Sequence, residues 1–184
     1  LYSRLVGPYP YEKLAHVQSS TRYGGMENAS AIFYADNIYR GRSMSESLIA
    51  HETAHQWFGD AVTTREWPHV WLSEGFATYF AALWTESAYG DSAFLGDMRR
   101  MRESVLQDKM AMEKPVIDET LSDLRHVLNG LVYQKAGFVL HMLRREVGDS
   151  AFFRGIRSYY AAHRHGNALT ADFVQEMERA SGAK

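Results

Sequence analysis

Cysteine is absent from this chain of 184 residues. That excludes disulfides, thiol nucleophiles and thiolate metal ligands. A metal, if bound, must draw its ligands from histidine, aspartate and glutamate. Proline is scarce, at four residues, and no internal repeat, low-complexity tract or flexible linker interrupts the sequence. No apolar run approaches the roughly 18 residues of a membrane-spanning helix. Neither sign of charge dominates, and a formal net charge of −2 leaves no basic footprint for nucleic acid. The first residue is leucine, so the chain reads as a fragment, and the lack of a signal peptide carries no weight. What is present is 46% apolar and 23% charged, a folding composition long enough for one domain with a substantial core.

Periodicity and capping residues predict an α+β domain, mainly helical, with a small sheet on its N-terminal side. Ser30-Ala31-Ile32-Phe33-Tyr34 reads as a short strand, with a bend at Gly24-Gly25 just before it. Ser43 with Glu46 fits a capping box that starts a helix near Met44, and Gly59 ends that helix. Ser73 is placed to cap a second helix toward Ala88, with Gly90 as its stop. Asp91 opens a third helix that ends before Pro115. Residues 129–147 form a fourth with Gly148 beyond its end, Asp149 opens a fifth, and Thr170 a short last one.

The first of these helices contains H-E-T-A-H at residues 51–55. Residues four apart share a helix face, so His51 and His55 can aim both imidazoles at a single ion. Glu52 sits one residue round and reaches a water without ligating the ion, which is the placement of a general base. Leu48, Ile49, Ala54, Trp57 and Phe58 surround the three groups, which argues against a solvated face. Unpaired polar groups there would cost several kcal/mol in order of magnitude. A catalytic zinc needs a third protein ligand and one open position. W-L-S-E-G at 71–75 offers Glu74, and residues 56–73 leave chain for a loop and an antiparallel return helix. The predicted ligands of one Zn2+ are therefore His51, His55 and Glu74. His16, His69, His126, His141, His163 and His165 read as surface or ordinary core residues.

G-G-M-E-N at 24–28, H-E-T-A-H, the 18-residue gap and W-L-S-E-G-F-A at 71–77 together resemble the gluzincin aminopeptidases of the aminopeptidase N type, the family that includes the leukotriene hydrolases. The likeness runs from about Pro10 to Phe173, and Val132-Tyr133-Gln134-Lys135-Ala136-Gly137 looks like the family's tyrosine segment. Two departures stand out: Ser73 replaces the usual Asn before the zinc glutamate, and Ala136-Gly137 inverts the common Gly-Ala order. The resemblance implies a thermolysin-like catalytic domain over residues 1–184, with a truncated sheet. A β-rich domain before it and a helical domain after it, present in full-length members, lie outside this sequence.

The resemblance also implies roles. Glu52 is the catalytic base and Tyr133 donates to the developing oxyanion. Substrate binding falls to Gly24, Gly25, Met26, Glu27 and Asn28: Glu27 pairs with the substrate ammonium, and the glycines let an extended backbone approach. Thr78, one turn beyond Glu74, is placed to touch a ligand histidine, and Asp60 reads as structural. The implied activity is zinc-dependent removal of the first residue from peptides with a free N-terminus. The alternatives are a thermolysin-like endopeptidase, an epoxide hydrolase of the leukotriene kind, and a silent zinc-stabilised scaffold. Intact Glu52 and Tyr133 argue against the scaffold, because a structural zinc site has no use for a base.

Overall fold

The structure is a computed structural model that describes residues 1–41, 45–120 and 123–183. A short helix α1 (Tyr2–Leu5) precedes a three-stranded sheet of β1 (Ala15–Ser19), β2 (Gly25–Met26) and β3 (Ala31–Ala35). The order is β1-β3-β2, with β1 parallel to β3 and β2 antiparallel to it, so β2 lies at an edge. The predicted strand is β3, displaced by one residue, and the predicted glycine bend leads into β2. The sequence pattern missed β1, whose five residues alternate between half-buried and exposed without an apolar face.

After α2 (Asp36–Arg40) comes α3 (Glu46–His55). Ser43 lies outside the described residues, and the helix there begins under Ser45, whose Oγ accepts from the Leu48 amide at 3.1 Å. The helix ends at His55, earlier than Gly59. Residues 56–62 tighten into a turn in which the Asp60 amide donates to the His55 carbonyl and the Gly59 amide to the Val62 carbonyl. Gly59 takes φ +132°, a value that favours glycine. Strand β4 (Val62–Thr64) follows and pairs in parallel with the distant β5 (Gly166–Ala168).

Helix α4 (Trp71–Tyr89) is the centre of the domain. Leu72, Phe76, Ala77, Tyr79, Phe80 and Leu83 are all buried, so the helix is covered on several sides, as an apolar all-round sequence requires. It packs on α3, on α5 (Asp91–Gln107) and on the long α7 (Ala136–His163). Ser73 lies inside α4 and does not cap it. A 3-10 turn at Trp67–His69 leads straight into Trp71, so the helix starts two residues before the predicted cap. Gly90 closes it at φ +83°, as predicted.

The third predicted helix is divided. It stops at Gln107, and Asp108 then caps α6 (Lys109–Glu113) by accepting from the Met110 and Ala111 amides at 2.9 and 3.2 Å. A π-helical turn at Leu131–Lys135 runs into α7, which breaks at Gly148, where φ is +79°. That break is the predicted one. Helix α8 (Thr170–Ser181) closes the chain, its first turn fixed by the Leu169 amide donating to Asp172 Oδ2 at 2.8 Å. Among the described residues no helix is long and apolar enough to cross a membrane.

The contact between α4 and the start of α7 has no room for a side chain. A Cβ on Gly75 would stand 2.5 Å from Ala136 Cβ and 3.3 Å from the Val132 carbonyl oxygen. Gly137 is similarly tight, with a Cβ 3.1 Å from Thr78 Cγ2. The inverted Ala136-Gly137 pair thus sets Ala136 against Gly75 and Gly137 against Thr78. Gly75→Ala should therefore destabilise the domain by about 1–3 kcal/mol, as overpacking of a fitted core does. Urea unfolding of the wild type and the variant measures this directly.

Candidate metal centre and cleft

Three side-chain atoms converge between α3 and α4. His51 Nε2 and His55 Nε2 lie 3.1 Å apart, and Glu74 Oε2 lies 3.3 and 3.2 Å from them. Ligand atoms around a tetrahedral ion with bonds of ~2.0–2.2 Å stand about 3.3–3.6 Å apart, so the spacing is close to that of a zinc-sized site. The tautomer agrees. His55 Nδ1 sits 3.0 Å from the Phe58 carbonyl oxygen, which can only accept, so Nδ1 carries a proton and Nε2, turned toward Glu74, is the nitrogen free to exchange its proton for a metal ion. Among the described residues, the buried Glu74 Oε2 has no partner apart from these two imidazole nitrogens. An acceptor oxygen facing two imidazole nitrogens in a buried place calls for a cation.

The protonation equilibria say the same. Burial disfavours charge on both His55 and Glu74. Their mutual pairing nevertheless carries His55 up to about 9, and the two imidazoles hold Glu74 down to about 2. Burial pushes His51 below its ordinary value. The cluster stabilises positive charge at its centre, and a doubly charged ion satisfies it better than a proton.

Glu52 is buried beside this centre. Burial raises its carboxyl to about 7, with smaller contributions from Glu27, Glu74 and Asp60 against the opposing His55. It packs under β2: a Cβ on Gly25 would stand 2.5 Å from Glu52 Cγ and closer still to the carboxylate. Ligand-type atoms of Glu27, Glu52 and His55 all lie within 4.8 Å of one another. Tyr133 comes from the π-helical turn, a local irregularity that often marks functional positions. Its ring stacks on His51 with centroids 6.0 Å apart, and burial together with nearby Glu74 keeps its hydroxyl protonated.

All these groups face one cleft of about 1070 Å³. Its walls include Gly24, Gly25, Met26, Glu27, His51, Glu52, His55, Glu74 and Tyr133, residues predicted from four separate stretches of sequence. Asn28 is exposed and does not line the cleft; its carbonyl accepts from the Ala31 amide at 2.9 Å. Thr78 lines the cleft, but among the described residues its buried Oγ1 has no hydrogen-bond partner, a histidine included. Thr63, Thr64, Arg65, Glu66 and Trp67 also line the cleft, with Trp67 55% exposed. Sequence reasoning assigned nothing to these residues. Their only signal was a buried-type aromatic beside a proline.

Reasoning from sequence also passed over Gln56, the buried amide that follows His55. No other histidine joins the metal cluster among the described residues. His16 pairs with the Tyr34 hydroxyl and His69 with the Thr170 hydroxyl, as ordinary structural residues do. Asp60 accepts from Gln56 Nε2 at 2.8 Å, and burial lifts its carboxyl to about 7.

Residues 2–184 match the Peptidase family M1 domain. The chain belongs to peptidase family M1. Aminopeptidase N of Streptomyces lividans is 33% identical over 191 residues, covering 95% of this chain and 22% of that protein. The thyrotropin-releasing hormone-degrading ectoenzyme of Rattus norvegicus is 35% identical over 174 residues, covering 86% of this chain and 16% of its own length. This M1 chain therefore spans about a fifth of the length of such relatives. Among solved structures, an M1 zinc metallopeptidase from Deinococcus radiodurans superposes with a TM-score of 0.84 at 29% identity, over 98% of this chain and 39% of that one. Yeast LTA4 hydrolase superposes with a TM-score of 0.82 over 96% of this chain and 30% of that one, and at 22% identity this speaks to the fold alone. The mainly helical domain with a small sheet is thus the architecture of M1 metallopeptidases.

In this M1 domain, Gly25 is the position where a single methyl group tests the geometry. Gly25→Ala must displace either β2 or the Glu52 carboxylate. The expected result is full metal content with turnover reduced by about 10²-fold, the scale set by a misplacement of roughly 1 Å. Metal analysis and steady-state kinetics on the same preparation check it.

Proposed function

We propose that the protein is a zinc metallo-aminopeptidase that hydrolyses the first peptide bond of substrates with a free N-terminus. The observation that carries this reading is the Glu27 carboxylate, held in the same cleft as His51, Glu52, His55 and Glu74. A zinc hydrolase needs only the latter four. A further carboxylate a few ångströms away is suited to a substrate ammonium.

Residues 1–184 are read as a thermolysin-like catalytic domain, part of a longer enzyme. His51, His55 and Glu74 hold the Zn2+, a His₂Glu set with one position left open. When bound, zinc acts as a Lewis acid toward water and the scissile carbonyl. Glu52 takes the proton of the attacking water and returns it to the leaving amine, and its elevated pKa suits both halves of that exchange. The Tyr133 hydroxyl, kept protonated, donates to the oxyanion of the tetrahedral intermediate. Glu27 pairs with the ammonium and so fixes which peptide bond is presented. Gly24, Gly25 and Met26 offer an edge strand beside the base, and an extended substrate can add to that edge. The Asn28 side chain takes no part in this scheme.

Three measurements test the reading. Chelation should strip one zinc per chain, abolish hydrolysis and lower the melting temperature, because Glu74 is then left buried without its cation. Glu52→Gln should keep its zinc and lose nearly all turnover; normal hydrolysis by a metallated Glu52→Gln would reject the base. Glu27→Ala should keep its zinc and lose about 10- to 150-fold in kcat/KM on free-amine peptides, the worth of one charge-assisted hydrogen bond of ~1.5–3 kcal/mol. Equal cleavage of N-acetylated and free peptides by the parent enzyme would favour an endopeptidase instead.

A further inference from the structure

Gln56 follows the helix that carries His51, Glu52 and His55, and it is wholly buried. Both ends of its amide are engaged. Nε2 donates to Asp60 Oδ2 at 2.8 Å and to the Glu27 carbonyl at 3.0 Å, with the Asn28 carbonyl at 3.5 Å. Oε1 accepts from the Ser30 amide at 2.7 Å and from the Tyr9 hydroxyl at 3.2 Å. The surroundings fix the amide's orientation, since a carbonyl can only accept and a backbone amide can only donate.

These bonds act on the segment that presents Glu27. Strand β2 ends at Met26 and β3 begins at Ala31, so the sheet ladder does not reach residues 27 to 30. Other backbone bonds across this turn run from the Ala31 amide to the Asn28 carbonyl and from the Ala15 amide to the Ser30 carbonyl. They tie the turn to the sheet. Gln56 ties it to α3, at the Glu27 peptide on one side and at Ser30 on the other. A fully satisfied buried amide is a rigid spacer, because displacing it strands several polar groups at once.

We infer that Gln56 is a positioning residue that sets the distance between the Glu27 carboxylate and the base and metal ligands on α3. The inference rests on the proposed role of Glu27. The substrate is then held at two points, by its ammonium and at its scissile bond, and Gln56 fixes the span between the two holders. Shifting that span misaligns the scissile carbonyl even when every catalytic group is intact.

The test is a double-mutant cycle in the full-length, zinc-loaded enzyme. It uses a peptide with a free N-terminal amine and the same peptide lacking that amine. Gln56→Glu keeps the shape and the acceptor but replaces the two N–H donors by at most one O–H, so it cannot serve Asp60 and the Glu27 carbonyl together. Gln56→Met removes the donors without adding charge and is measured alongside, in case the first variant fails to fold. Either variant should lose about 10- to 100-fold in kcat/KM on the free-amine peptide. Slow cleavage of the peptide lacking the amine, and zinc content, should stay unchanged. In the Glu27→Ala background the same Gln56 substitution should add no further loss, because the group it positions is gone. Additive losses, or equal losses on both peptides, mean that Gln56 serves the fold in general and overturn the inference. If Glu27→Ala is damaging while both Gln56 variants are neutral, the inference alone falls. If Glu27→Ala is itself neutral, the reading of Glu27 fails and the inference falls with it.

Discussion

Much of this domain is organised by one buried negative charge. Glu74 sits on the central, apolar helix α4, and its Oε2 faces two imidazole nitrogens with no hydrogen of its own to share. A carboxylate in that place is tolerable only with positive charge beside it. The requirement is met where α3 packs on α4 and brings His51 and His55 to the carboxylate. Two glycines make room around this charge. Gly59 leaves space for Ser73 and His55, and Gly75 lets the Tyr133 turn close down on the helix that carries the charge.

The residues proposed to react reach the same cleft from different parts of the chain and are held by different forces. The proposed metal ligands come from two packed helices and are largely buried. The proposed base is on one of those helices but is wedged under an edge strand, with no space between it and Gly25. The phenol comes from an irregular turn before a third helix. Glu27 comes from a turn of the sheet and is bound to α3 through one amide. Burial, with a smaller contribution from neighbouring carboxylates, raises the carboxyl groups of Glu52 and Asp60 to about 7. A cleft of this kind favours cationic groups at both its metal and its substrate positions.

The residues that converge on the cleft were more legible in the sequence than the architecture around them. His51, Glu52 and His55 were readable because helical spacing alone places them, and Glu74 because a lone acid in an apolar helix needs a reason. Tyr133 and Glu27 were not readable from spacing. They are on a π-turn and a sheet turn, whose geometry no simple period describes, and the family likeness supplied them. Helix stops at Gly90 and Gly148 were legible because a positive φ is a local property of glycine. The cap assigned to Ser73 failed because a 3-10 turn already continued into α4. Strands β1, β4 and β5 escaped notice because they are short and only partly buried, and β4 meets its partner more than a hundred residues away. Gln56 escaped for a similar reason: its partners at residues 9, 27, 28 and 30 are distant in sequence, and only the folded chain brings them together.

The π-turn at Leu131–Lys135 works as a change of phase. One extra residue in a helix rotates everything beyond it by roughly 100° relative to what came before. The turn and α7 form one run of helix that must meet two demands. Tyr133 has to face the cleft, while Ala136 must sit on Gly75 and Leu140 in the core. A regular helix would present these positions in fixed rotation, and the inserted residue releases them from it. Local regularity is thus given up where the phenol has to face one way and the rest of the helix another.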